Sequence, residues 1–157
     1  MQFSKSTGYA LHALIHLAQS GSGQYVGIKE LASVLGVSES YLSKIMSKLR
    51  QDGIVRAVTG VNGGYELARP ANQISFLDVI QVVEGRQPLY ECFHESASRQ
   101  PAPDSPGTYD LYNEECLVRK VMIGAEAHIT HYLQQHTIQS VLDAASQGGN
   151  PTGNKKT

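Results

Sequence analysis

Three sets of side chains in this sequence could do chemistry. Ser40, Ser43, Lys44, Ser47 and Lys48 recur at helical spacing within one short stretch, all of them small hydroxyls or cations. A face of donors with no carboxylate among them suits a groove lined with phosphates. Cys92 and Cys116 lie 24 positions apart. A thiolate can be oxidised, pair with a second thiol or ligate a metal, whereas a buried thiol is an inert core residue. His12 and His16 are spaced i,i+4, and His128 and His131 are spaced i,i+3, and either spacing could hold a metal. No carboxylate or thiol motif accompanies them, so surface or interface roles fit better. The chain carries no phosphate loop, nucleophile elbow or H-E-x-x-H motif, and it is read as not an enzyme and without a metal site.

Composition bounds what can position these groups. With 157 residues, 41% of them hydrophobic and 17% charged, the chain can bury a core and is not disordered throughout. Its 2 cysteines cannot build a disulfide framework or supply four thiolates to a cluster. No apolar run reaches the roughly 18 residues of a membrane span. Lys5, His12 and His16 interrupt the first apolar stretch, unlike a secretory signal. A soluble protein of a reducing cytoplasm, without membrane contact, is expected. The net charge of −1 hides an asymmetry: residues 1–69 carry seven basic and four acidic residues, and the remainder carries six and ten. That division suggests a basic working module on an acidic partner module.

Periodicity supplies the elements. Ala10, Leu11, Leu14, Ile15, Leu17 and Ala18 predict a helix over 4–18, ended by Gly21-Ser22-Gly23. Ile28, Leu31, Ala32 and Leu35 predict a short second helix closed by Gly36. Ser38 caps a third helix reaching about Gln51, with Tyr41, Leu42, Ile45, Met46 and Leu49 as its apolar stripe. Residues 54–58 and 65–68 read as hairpin strands, with Gly60, Gly63 and Gly64 supplying the positive φ of the return. A helix over 75–84 starts with Ser75 and Asp78 as a weakened capping box and stops at Gly85.

Residues 86–113, with Pro88, Pro101, Pro103 and Pro106, read as a long loop. A helix over 114–135, about 33 Å long, carries Val118, Val121, Met122, Ala125, Ile129, Tyr132 and Leu133 as a stripe. Thr137 caps a short helix over 138–144, and 146–157 reads as a disordered tail. The fold class is therefore mainly α with a small β-hairpin, in the layout of a winged helix–turn–helix. The expected domains are a DNA-binding domain over 1–85, a loop over 86–113, dimerisation helices over 114–145 and the tail.

With these elements placed, the sequence resembles the IscR/NsrR/CymR (Rrf-two) family of bacterial winged-helix transcriptional regulators. The motifs that carry the resemblance are Ser6-Thr7-Gly8-Tyr9-Ala10-Leu11, Leu31-Ala32-Ser33-Val34-Leu35-Gly36-Val37-Ser38 and Tyr41-Leu42-Ser43-Lys44-Ile45. They continue with the wing, Gly60-Val61-Asn62-Gly63-Gly64-Tyr65-Glu66-Leu67-Ala68-Arg69-Pro70, then Asp78-Val79-Ile80, Val83-Glu84-Gly85 and Thr137-Ile138-Gln139-Ser140-Val141-Leu142. The resemblance implies a homodimer on a palindromic double-stranded DNA operator, with the long helix as the dimer contact. It also implies a sensor segment around the cysteines, which in some members holds an iron–sulfur cluster through three of them.

The DNA-contact residues expected on this reading are Ser38, Ser40, Tyr41, Ser43, Lys44 and Ser47 on the third helix. Lys5 and Lys48 are expected on phosphates, and Thr59, Val61 and Asn62 at the wing tip. The wing of the family usually has an Arg where this chain has Thr59, and an acidic ligand of some members corresponds to Gly8. Cys92 and Cys116 are the sensor candidates, and with only two thiols a cluster is disfavoured, so no cofactor is expected. The leading expectation is a dimeric repressor modulated by the thiol state of these cysteines or by a small ligand near them. The alternatives are a cluster-sensing member completed by His94, a carboxylate or a partner chain, and a winged-helix adaptor for proteins without specific DNA binding.

Overall fold

A computed structural model of the chain describes residues 2–90 and 117–148. In chain order the elements are α1 (Lys5–Ser20), α2 (Ile28–Leu35), α3 (Glu39–Gln51), β1 (Val55–Val58), β2 (Gly64–Leu67), a 3-10 turn (Ala71–Gln73), α4 (Phe76–Glu84), α5 (Leu117–Gln135) and α6 (Ile138–Gly148). Contacts divide the described residues into two units, one of residues 2–86 and 133–148, the other of 87–90 and 117–132. The expected mainly α winged helix–turn–helix with a two-stranded antiparallel hairpin is present. Residues 91–116, with the sensor candidates Cys92 and Cys116, and residues 149–157 lie outside the described residues.

The core of the winged unit forms where helical periods meet. α1 buries Ala10, Ala13, Leu14 and Leu17 at i, i+3, i+4 and i+7. α3 buries Leu42, Ile45, Met46 and Leu49, and α4 buries Val79, Ile80 and Val83. Leu31 and Ala32 of α2, Val26, Ile54, Val55 and Ile74 complete that face. Each large side chain removed from water contributes roughly 1.5–3 kcal/mol. Tyr41, read from the sequence as part of the α3 stripe, is instead 38% exposed. It sits at the edge of the stripe, where its hydroxyl keeps a polar partner.

Caps set the boundaries. Gly36 takes the left-handed conformation at φ +66°, which ends α2 at a position where a β-carbon would be strained. Ser38 Oγ accepts the Tyr41 amide at 3.3 Å and starts α3 two residues later. At α4 the capping box is complete: Ser75 Oγ accepts Asp78 N–H at 3.1 Å and the Asp78 carboxylate accepts Ser75 N–H at 3.0 Å. Thr137 and Ser140 close the start of α6 the same way, with both amide-to-hydroxyl bonds at 3.1 Å. α6 runs to Gly148, beyond the short helix expected, and Ile138 is fully buried. Its amide donates to Ile74 O at 2.9 Å, which joins α6 to the 3-10 turn.

The wing corrects one expectation. Among its glycines only Gly60 has a positive φ, at +121°. Gly63 and Gly64 are required for closeness: a β-carbon on Gly63 would lie 2.2 Å from Val58 O, and one on Gly64 2.6 Å from the Val26 carbonyl. That space lets Val26 pair with Tyr65 through two bonds of 2.9 Å and brace the hairpin with a third short segment. In the β1–β2 register Arg56 stands opposite Glu66, and Arg56 Nε donates to the Glu66 carboxylate at 2.6 Å.

Glu66 is buried, and its carboxyl is held below the ordinary value of 4.5. The hydrogen bond from Arg56 is the largest cause; burial opposes it, and the Arg56 charge and the bonds from the Gly23 amide and the Tyr25 side chain assist. A value lowered on folding gives stability that is present above the ordinary carboxylate range and lost as pH falls through the folded value. Glu66→Gln is therefore expected to lower the thermal midpoint at neutral pH. It should also flatten part of the decline in midpoint as pH is taken from about 6 to about 3. Melting curves across that range check this, and an acid limb identical to that of the wild type would count against the pair.

Candidate nucleic-acid interface

The burial of Leu42, Ile45, Met46 and Leu49 sets the rotation of α3 about its axis. With 3.6 residues per turn, the opposite side then carries Ser40, Ser43, Lys44 and Ser47. Ser40, Lys44 and Ser47 are exposed and Ser43 is half-buried. Ser38 stands at the start of this face, with its hydroxyl on the Tyr41 amide and 3.4 Å from Ser40 Oγ. Among the described residues no carboxylate pairs with Lys44 or with Lys5. Ser and Lys side chains so placed offer hydroxyl and ammonium donors to base edges and phosphates.

Tyr41 and Lys48 have protein partners. The Tyr41 hydroxyl lies 2.7 Å from Ser6 Oγ, and its ring meets Tyr9 edge-on with centroids 5.9 Å apart. These contacts bind the first turn of α3 to the first turns of α1, where the exposed Lys5 sits. Lys48 Nζ donates to Val83 O at 3.2 Å, near the end of α4. The wing-tip residues Thr59, Val61 and Asn62 are exposed, and Val61 is fully so at 105%. A wholly exposed apolar residue at a hairpin tip has no packing role among the described residues.

One group here was not legible in the sequence as a functional residue. The Glu84 carboxylate accepts the Ser4 amide and hydroxyl, each at 2.7 Å, and the Thr7 hydroxyl. Val83-Glu84-Gly85 is a motif of the resemblance, but its partners lie 77 and 80 positions away, so no local pattern announces them. The histidine pairs gather no ligand set: His16 Nε2 lies 3.6 Å from a Glu30 oxygen and His128 Nδ1 pairs with Gly124 O. Among the described residues no three His, Cys, Asp or Glu side chains converge.

The chain matches the family model Rrf2, described as an iron-dependent transcriptional regulator, over residues 3–144. It is 39% identical to Protein aau3 of Rhizobium meliloti (strain 1021) over 107 residues, which is 68% of this chain and 69% of that one. It is similar to the solved structure of CymR (YrzC), the global cysteine regulator of B. subtilis, with a TM-score of 0.73 and 25% identity over 92% of this chain and 98% of that one. It is also similar to T. potens IscR, with a TM-score of 0.71 and 25% identity over 98% of this chain and 94% of that one.

The family's description names iron, yet the whole chain holds 2 cysteines, both outside the described residues. That donor set does not fit a cluster held by four thiolates. No helix among the described residues is long and apolar enough to cross a membrane. On a match that spans nearly the whole chain and takes in α3 and the hairpin, the chain belongs to the Rrf2 family of transcriptional regulators, which are DNA-binding proteins and not enzymes.

Proposed function

We propose that this regulator acts as a homodimeric, sequence-specific repressor whose hold on its operator is modulated through Cys92 and Cys116. The observation that carries the DNA reading is the outer face of α3, where Ser40, Ser43, Lys44 and Ser47 stand opposite a fully buried apolar stripe. The helix lies in a major groove, the wing tip at Thr59, Val61 and Asn62 meets the neighbouring minor groove, and Lys5 contacts phosphate. Lys44→Ala is expected to weaken operator binding by about tenfold or more and to relax specificity at the base it reads. Gel shifts on the chain's own upstream region and on random duplex check this. Equal binding to both duplexes would favour the protein-adaptor reading.

The dimer reading is supported by α5, on which Leu117, Val118, Val121 and Ile123 are each at least half exposed. Apolar side chains in that density on one helix gain by covering one another across a two-fold axis. Two reading helices then address half-sites about 34 Å apart. Sedimentation at micromolar concentration should show a dimer for the wild type and a monomer for Val121→Glu. A monomeric wild type overturns this part.

The thiol reading is supported by the cysteine arithmetic. Two thiols fall short of a cluster's usual donors but suffice for a switch. Peroxide converts one thiolate to a sulfenic acid with loss of hydroxide, and the second thiol displaces water to form a disulfide. Operator affinity is expected to differ between reduced and peroxide-treated protein, and the difference should vanish in Cys92→Ser and in Cys116→Ser. Equal affinities throughout would dismiss the switch, and iron in protein purified without oxygen would restore the cluster reading.

A further inference from the structure

The polar contacts at the edge of the winged unit form a closed triangle. The first turns of α1 meet the start of α3 through Ser6 with Tyr41 and Tyr9 with Tyr41. The last turns of α3 meet the end of α4 through Lys48 Nζ on Val83 O at 3.2 Å, with Asp52 and Arg86 at 4.0 Å beyond. The end of α4 returns to the start of α1 through Glu84, whose carboxylate accepts two bonds from Ser4 and one from the Thr7 hydroxyl. Every corner of this triangle touches an element that carries an expected DNA contact, and Glu84 closes it.

We propose that Glu84 is a positioning residue for DNA recognition: with the adjoining Val83 carbonyl it holds the start of α1 and the end of α3 in the relative placement that the duplex requires. The proposal rests on the DNA-binding reading above. An exposed pair is weak because water competes and long side chains lose freedom. Glu84 differs in receiving three bonds at once, from groups of which Thr7 is buried. Its carboxyl is held below the ordinary range, chiefly by the Thr7 hydroxyl, then by Ser4, against a contribution from burial. The charge also lies at the N-terminus of α1, where the helix dipole favours an anion, and Ser4 has no side-chain cap bond of its own.

Lys48 changes role in consequence. Its ammonium donates to Val83 O beside the Glu84 charge, and on this proposal it acts through α4 in place of the phosphate contact expected from the sequence. A phosphate contact and a positioning contact differ in salt dependence. Removing a phosphate contact lowers the slope of log affinity against log salt by about one per contact, on any duplex. Removing a positioning contact leaves the slope and weakens the operator alone, because only specific docking needs both helices in register.

The test uses the full-length protein and an operator selected by the wild type from a random-sequence pool, with random duplex as reference. Glu84→Gln, Thr7→Val and Lys48→Met are compared across a salt series. Thr7→Val keeps the shape of a buried side chain while removing the donor, so the triangle can be opened without touching Glu84. Each variant is expected to lose about tenfold or more on the operator, with less than about twofold change on random duplex and an unchanged slope. The effects of Glu84→Gln and Thr7→Val should not fully add, because the first weakens and the second removes the same Thr7 bond.

Wild-type affinity for the operator in Glu84→Gln or in Thr7→Val overturns the proposal. So does a parallel loss on both duplexes with a shallower slope for Lys48→Met. If Glu84→Gln fails to fold, Thr7→Val alone decides. A wild type that selects no operator defeats the DNA-binding reading and this proposal together, whereas an operator bound equally by all variants defeats only the latter.

Discussion

The burial of one stripe on α3 is the constraint on which the rest depends. Leu42, Ile45, Met46 and Leu49 leave water together against α1 and α4, and a helix that buries four such residues has no freedom to rotate. The 3.6-residue period then fixes which residues stand opposite that stripe, and they include Ser40, Ser43, Lys44 and Ser47. The candidate DNA-contact face is thus a by-product of the core.

The wing divides its work between root and tip. At the root, the Arg56–Glu66 pair, the Val26–Tyr65 bridge and the close approach allowed by Gly64 hold three backbone segments together. At the tip, Thr59, Val61 and Asn62 are bare. The exposed groups at this tip are a hydroxyl, methyls and an amide, with no cation among those three residues.

The two kinds of contact in the chain do different things. Apolar burial holds the winged unit together, because its magnitude grows with area and has no direction. The ties among Ser4, Ser6, Thr7, Tyr41, Lys48 and Glu84 add little area, but hydrogen bonds are directional and so set angles between helices that are already packed. α5 differs in leaving large apolar side chains exposed, among them Leu117, Val118 and Val121.

The sequence by itself determined the elements, because each depends on neighbours a few positions away. Gly36 ending α2, Ser38 starting α3 and the Ser75–Asp78 box starting α4 were all legible from local spacing. So was the polar face of α3, since periodicity alone assigns it. What only the tertiary structure decided are the contacts between residues far apart in the chain. Gly63 and Gly64 read as turn glycines, and only the approach of Val58 O and of Val26 shows that space, not φ, selects them. Tyr41 read both as part of the apolar stripe and as a DNA contact, and only the packed helices show Ser6 and Tyr9 meeting it at the surface. Glu84 stood in a motif of the resemblance without a legible role, because its partners are Ser4 and Thr7, 80 and 77 positions earlier. Local periodicity constrains which side of a helix faces inward, but which distant group waits there is settled only when the helices have packed.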